Sequence, residues 1–405
     1  MFGNFLLNFA DNMNNRRICI VTTTRADWGL LSPIARRLAD TPGIELQIIA
    51  SNMHLDPLYG MTAREIEADG FEISARVPMP TGPDDSQAAT ARAAAACTAG
   101  MADAFERLRP DLAVMLGDRY EMLAAAQAAA IMRIPIVHIA GGELSEGAVD
   151  DSMRHAITKL ASLHLTATEP YRQRVITMGE HPERVINTGA IGVYNALTVE
   201  PLPREELERS LGIPLTRHTL VVTLHPATMD DATPTATVCA NMLEAFRRLP
   251  ADTTFLITYP NNDADGRVII DMIEAFGREL PDRVKVIPSL GQRRYLSVLR
   301  YAGAVVGNSS SGIVEVPSMK IPTVDIGPRQ KSRIAAASVI HCDTSADAIT
   351  HAIEHALSPQ GQLAAHEASN PYYQPDTLAR IADAIAGADI DALKNKRFYD
   401  RPCKA

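Results

Sequence analysis

Ten apolar, β-branched runs, separated by longer stretches of helical periodicity, constrain this chain more than any other feature. RRICIVTTT (16–24), IELQIIAS (44–51), DLAVMLGD (111–118), IPIVHIAG (134–141) and LHLTAT (163–168) form one set. Helical segments such as GLLSPIARRLAD (29–40) and the alanine-rich 87–108 lie between them. After a turn-rich stretch near 195–215 the pattern restarts with TLVVTLH (219–225), TTFLITY (253–259), RVKVIP (283–288), AGAVVGN (302–308) and PTVDIG (322–327). Strands that alternate with helices imply βαβ units and a parallel sheet. The predicted fold class is α/β, with two Rossmann-like, doubly wound domains over 16–195 and 196–370. The segment NPYYQPDTLARIADAIAG (370–387) reads as one closing helix, expected over 371–390 to pack back across the cleft. Ligands of such sheets bind at the carboxyl ends of strands, and with two domains the cleft between them is favoured.

A chain of 405 residues is long enough for two cores of this kind. Its formal charge of -9 argues against a nucleic-acid or anionic-membrane partner, which needs a basic face, although local basic groups can still hold one small anion. The five cysteines are scattered, odd in number and without C-x-x-C spacing. They read as free thiols of a reducing, cytoplasmic compartment, with neither a disulfide framework nor a zinc site indicated. MFGNFLLNFADNMNN (1–15) lacks a basic leader and an A-x-A site, and no run of 18 apolar residues occurs elsewhere. Neither a signal peptide nor a membrane span is expected; the first dozen residues read as a loose extension, with Met13 a candidate start.

Polar chemistry falls at the carboxyl ends of the predicted strands, where scaffolds place function. The first strand leads to Arg25 and Asp27. The 111–118 strand ends in Asp118, and the 134–141 strand runs into GGELSEGAVDDSMRHAITK (141–159), which carries Glu143, Asp150, Asp151 and His155. In the second half His225, Asn261 and Asp263 follow strands, and GNSSSG (307–312) supplies Ser309, Ser310, Ser311 and Gly312. Asp27 and Asp263 serve equally well as helix caps, and His225 as a hydrogen-bonded core histidine. GNSSSG suits a phosphate, because a glycine-flanked hydroxyl cluster at a helix start exposes N–H donors; neither a Walker loop nor a G-x-G-x-x-G fingerprint is present. Glu315, one turn on, is placed to accept from ribose hydroxyls. Of Arg329, Lys331 and Arg333, at least one is expected to face phosphates and the others to form a solvated face. Capping uses only one carboxylate of the 141–159 stretch. The remainder suits proton transfer, since burial and like charge raise a carboxyl towards working pH.

RADWG (25–29), GDRYE (117–121), GGELSEGAVDDSMRHAITKLASLH (141–164) and GNSSSGIVEVPSMKIPTVDIGPRQKSR (307–333) together resemble the hydrolysing UDP-N-acetylglucosamine 2-epimerases of sialic-acid and legionaminic-acid synthesis. The resemblance covers roughly residues 16 to 390. It implies a glycosyltransferase-B-type arrangement with the nucleotide held chiefly by the second domain. By position it implies that Arg25, His225, Asn261, Ser309, Ser310, Glu315 and Arg329 hold the nucleotide. Asp118, Glu143 and Asp150 would then surround the sugar, with Asp27 and His155 as weaker candidates. The implied chemistry is anti elimination of UDP with loss of the C2 proton, then addition of water to the glycal, releasing N-acetylmannosamine from the simplest substrate. It implies no cofactor and no metal, and a homo-oligomer, dimer or tetramer.

Some members of the family carry an acidic residue at the position of Ala140, so Glu143 or Asp118 must take the proton here, and Asp150 and Asp151 remain alternatives. A nucleotide-sugar-binding protein without turnover is a further reading, against which Asp118, Glu143 and the aspartate pair argue, and two rival activities stand beside the first. One is hydrolysing 2-epimerisation of UDP- or GDP-N,N'-diacetylbacillosamine. The other is a glycosyltransferase of the same architecture, which would not need several carboxylates around the sugar.

Overall fold

Residues 15–80, 86–145, 148–227, 233–261, 263 and 265–400 are described by a computed structural model; the amino-terminal extension and Met13 lie outside them. The first domain is a seven-stranded sheet of β1 (Arg16–Thr22), β2 (Ile44–Ser51), β3 (Ala75–Val77), β4 (Leu112–Leu116), β5 (Ile136–Ile139), β6 (Leu163–Thr166) and β7 (Val185–Asn187), in the order β3-β2-β1-β4-β5-β6-β7. The second is a six-stranded sheet of β8 (Thr219–Thr223), β9 (Thr254–Thr258), β10 (Val284–Ile287), β11 (Ala304–Gly307), β12 (Thr323–Ile326) and β13 (Val339–Cys342), in the order β10-β9-β8-β11-β12-β13. Every strand pair is parallel.

The pleat explains why the strands are apolar throughout. Ile18 and Ile20 of β1 face one core, with Leu31, Ile34 and Leu38 of the helix Arg25–Ala39. Cys19 and Val21 face the other, with Cys97, Met101 and Phe105 of the helix Gln87–Leu108. Each fully buried side chain of this size stabilises by about 1.5–3 kcal/mol relative to exposure. In the second domain, Phe246 and Phe255 stack at 4.5 Å between ring centroids on the face that also holds Leu220 and Val222.

Three expectations are corrected. The stretch near 195–215 is not merely turns: it holds the helices Ile191–Thr198 and Arg204–Leu211, so the sequence boundary at 195/196 falls inside a helix. The closing helix starts only at Thr377. Pro371 and Pro375 precede it, Asp376 is left-handed at φ 57°, and Tyr372 is fully buried with its hydroxyl 2.8 Å from that of Tyr171. The short outer strands β3, β7 and β13 are additional; three or four partly exposed residues leave little apolar signal.

The helix Thr377–Ala386 crosses back to the first domain, where Ile381, Ile385 and Leu393 join the core under the helix Arg25–Ala39. Arg16 donates to the carbonyls of Ala386 (2.8 Å) and Ala388 (3.1 Å). Beyond it, Lys396 reaches Glu180 at 2.8 Å, a carboxylate also held by Lys159 and by His164 at 3.0 Å. Burial alone would raise the Glu180 carboxyl, but the hydrogen bond from His164 and the lysines pull it down to about 2. Removing one member leaves buried charge uncompensated. Glu180→Ala is therefore expected to cost about 3–5 kcal/mol in urea unfolding; a loss below about 1 kcal/mol, the level of an exposed pair, would show that the cluster does not anchor the tail.

Candidate active site

Both sheets have one place where successive crossovers run in opposite directions, between β1 and β4 in the first and between β8 and β11 in the second. Crevices open at the carboxyl ends of strands at such switch points. Arg25 follows β1, Asp118 follows β4, His225 follows β8 and Ser309 follows β11, so the two crevices face each other across the domain cleft. Asn195 and Gln292 both donate to the Gly29 carbonyl, the former at 2.9 Å, closing one side of it.

Two contiguous cavities occupy this cleft. One, about 230 Å³, is lined by Arg25, Thr223, Tyr259, Gln292, Tyr295 and Ser311. The other, about 240 Å³, is lined by Asp118, Ala140, Glu143, Asp150, Arg154, Arg329 and Arg333. His225, Asn261, Ser309, Ser310 and Glu315 line both.

Local backbone brings the loops in. Gly307, at φ 134°, lies so close to the Thr223 carbonyl that any Cβ would collide with it. Asn308 then ties the loop to β8: its amide oxygen accepts from the His225 N–H at 2.7 Å and its amide nitrogen donates to the His225 carbonyl at 2.9 Å. The helix that follows, Ser311–Val314, is a single turn. Its dipole is correspondingly weak, and the hydroxyls and arginines must supply most of the attraction for an anion. On the first domain, Ala140 at φ 66° and Gly142 at φ 78° turn the chain out of β5. A Cβ at Gly142 would meet the Tyr171 carbonyl at 2.6 Å. His138 sits fully buried under this turn and donates through Nε2 to the Gly117 carbonyl at 2.7 Å, which holds the adjacent Asp118 loop.

Two of the cavity carboxylates are ion-paired. Arg154 holds Asp118, and Arg333 holds Glu143 at 2.8 Å. Burial raises the Glu143 carboxyl and Arg333 opposes it. Burial, with Asp263 nearby, raises Asp150 against the pull of Arg119 and Arg329. Glu315 is pushed up to about 7, chiefly by burial, and its Oε2 has no partner among the described residues. The Nε atoms of Arg154 and Arg329 are likewise buried and unpartnered there. Burial, then Arg329, holds His225 down at about 3, so its ring is neutral near pH 7. Its Nδ1 accepts from the Asn261 N–H at 3.2 Å, which leaves Nε2 as the proton-bearing donor. Such a site offers cationic and neutral donors to an anion on one side and raised carboxyls on the other.

Several predicted site residues lie outside both cavities. The Asp27 carboxylate accepts from the backbone N–H groups of Thr23 (2.9 Å) and Thr24 (2.7 Å) in a capping box. Asp151 accepts from the Ser145 N–H at 2.6 Å, and His155 stands 3.5 Å from Asp151. Between the paired aspartates, then, Asp150 lines the cavity. Asp263 forms an ion pair with Arg119 at 3.0 Å across the domains. Gly312 packs against Thr323. Lys331 is exposed as expected of a solvated face, whereas Arg333 is not. Arg154, Asn308 and Tyr295 were missed, and Arg333, one of three basic candidates, was not singled out; the arginines stand inside the quoted motifs, but spacing does not separate a buried guanidinium from a solvated one.

The model describing UDP-N-acetylglucosamine 2-epimerase matches residues 36–386. The chain belongs to the UDP-N-acetylglucosamine 2-epimerase family. Among its relatives, it is 34% identical over 389 residues to the GDP/UDP-N,N'-diacetylbacillosamine 2-epimerase (hydrolyzing) of Campylobacter jejuni, covering 96% of this chain and 100% of the relative. It is 35% identical over 343 residues to the UDP-N,N'-diacetylbacillosamine 2-epimerase (hydrolyzing) of Legionella pneumophila, covering 85% and 89%. The crystal structure of the Neisseria meningitidis UDP-GlcNAc 2-epimerase bound to UDP-GlcNAc superposes with a TM-score of 0.75 at 15% identity, covering 92% of this chain and 100% of that one. That likeness establishes the glycosyltransferase-B-type fold of this family member. Among the described residues no helix is long and apolar enough to cross a membrane.

Proposed function

We propose that this epimerase-family protein is a hydrolysing nucleotide-sugar 2-epimerase. The observation that carries the reading is the joining of a three-carboxylate cavity, lined by Asp118, Glu143 and Asp150, to a cavity lined by Arg25, Ser309 and Ser310. Glu143 removes the C2 proton as the C1–O bond to the diphosphate breaks, leaving a C1=C2 glycal and free UDP. Arg25, Arg329, the serine hydroxyls and neutral His225 stabilise the charge that develops on the leaving phosphate. Water then adds its hydroxyl at C1 and a proton returns to C2 from the opposite face, with Asp118 and Asp150 handling those protons. The product is the free 2-epimeric sugar, a precursor of nonulosonic acids.

For the substrate, the two hydrolysing relatives favour a UDP- or GDP-linked N,N'-diacetylbacillosamine, the reverse of the order read from sequence. UDP-N-acetylglucosamine is the second reading, favoured by the family description. The working form is taken as a homo-oligomer in the cytoplasm.

Proton NMR in deuterated water tests both. Release of UDP or GDP with a C2-deuterated manno sugar from one nucleotide sugar is expected, and names the substrate. Release of the gluco sugar with its C2 hydrogen retained, or no turnover of any of the three nucleotide sugars, overturns the epimerase reading.

A further inference from the structure

Arg333 leaves the loop after β12 of the second domain and ends inside the first. Its Nη1 lies 2.8 Å from Glu143 Oε2. Its Nε donates to the Leu144 carbonyl at 3.0 Å and its Nη2 to the Ser145 hydroxyl at 3.1 Å. One planar guanidinium thus fastens three consecutive residues, a fit that depends on the fixed fork of an arginine. The same Ser145 hydroxyl accepts from Arg154 at 3.3 Å, and Arg154 holds Asp118. Both side chains of the Arg333–Glu143 pair are buried, at 5% and 7% exposure. Arg329, four residues earlier on the same loop, lines the cavity with its Nε unpartnered.

We propose that Arg333 is a positioning residue through which the nucleotide-binding domain sets the Glu143 carboxylate in place, so that the base is assembled only when the two domains are together. The proposal rests on Glu143 as the proton acceptor of the epimerase reading. Turnover is thereby tied to domain closure: with the cleft open, Glu143 has lost its guanidinium and the 143–145 loop has lost three bonds. A proton acceptor that forms only on closure abstracts a proton only where the glycal is held until water has added to it. The groups facing Glu143 are Arg333 from the second domain, Glu315 beside the Ser311–Val314 turn, Tyr171 of the helix Glu169–Thr177, and Tyr372. Arg333 is the one cation in that set, so its loss makes the Glu143 carboxyl less acidic.

The test is the pH dependence of kcat, with UDP affinity measured alongside, in wild type, Arg333→Gln and Arg333→Lys. An adjacent cation lowers a carboxyl by about 1–3 units, so the acid limb is expected to move up by that amount in Arg333→Gln and to return towards wild type in Arg333→Lys. UDP affinity is expected to stay close to wild type in both. An acid limb that does not move in Arg333→Gln overturns the proposal. So does a UDP Kd that weakens by the same factor as kcat/KM falls, which would make Arg333 a phosphate ligand. If Arg333→Gln does not fold, Arg333→Lys decides alone: it keeps the charge and loses the fork, so kcat must fall with the limb unmoved, and a wild-type kcat rejects the role. Absence of turnover in the wild-type protein is a failure of the functional reading, seen before any variant is compared.

Discussion

Glu143→Gln is expected to lower kcat by about 10²–10⁴-fold, the usual worth of a positioned general base, while UDP still binds. Glutamine fills the same space but cannot accept the C2 proton. The nucleotide cavity does not include residue 143, so affinity for UDP reports whether the fold has survived. That control matters because the change leaves Arg333 buried beside a neutral amide, a loss that in other buried pairs costs about 3–5 kcal/mol. The decisive readout is deuterium incorporation at C2 during a single turnover in deuterated water. If Glu143→Gln still incorporates deuterium at the wild-type rate, the proton goes elsewhere, and Asp118 in the same cavity becomes the acceptor.

Glu315→Gln is expected to weaken UDP binding by about 1.5–3 kcal/mol, the value of a hydrogen bond to a charged group, or roughly 10- to 150-fold in Kd. The carboxyl lines both cavities, and its Oε2 is buried with no partner among the described residues. Gly192 is opposite; a Cβ there would collide with Oε1. Ribose hydroxyls are donors suited to that orphan oxygen. The sign of the pH effect follows. Burial pushes this carboxyl up to about 7 in the free protein, whereas donors from the ligand favour its ionised form. Binding therefore releases a proton near neutrality, and affinity rises as pH rises through about 7. Titration calorimetry in buffers of different ionisation enthalpy measures the release. The Glu315→Gln variant is the reference that removes the titration of UDP's own phosphate. If wild type and variant share one pH profile, the carboxyl does not touch the nucleotide.

The fold was legible because central strands of a doubly wound sheet must be apolar on both faces, which leaves runs such as ICIV (18–21) that nothing else explains. The outer strands β3, β7 and β13 left no such mark, since an edge strand of three or four residues is only partly buried. The turn-rich reading of 195–215 failed because Pro201 and Pro203 separate two short helices rather than excluding them. At the site, residue type and strand-end position were enough to bring Asp118, Glu143, His225, Ser309, Ser310 and Glu315 into view. They could not separate Asp150 from Asp151, because a single residue of register decides which carboxylate meets the cavity and which ties down the Ser145 N–H. Asp27 shows the converse. Its neighbourhood in RADWG invited a substrate role, yet the backbone donors of Thr23 and Thr24 occupy its oxygens. From its motif Arg333 was not told apart from Arg329 and Lys331, because nothing local tells a guanidinium that its partner lies 190 residues earlier.

The return of the helix Thr377–Ala386 to the first domain also bears on how the polypeptide is made. Leu31, Ile34 and Leu38 are covered by Ile381 and Ile385, residues that leave the ribosome roughly 200 positions after β7 has emerged. At about 5–20 residues per second, that amino-terminal half stays unfinished for about 10–40 s. A nascent chain stalled within the second sheet therefore exposes a sticky patch on the first, and a chaperone that covers such patches during translation has a defined interval in which to act.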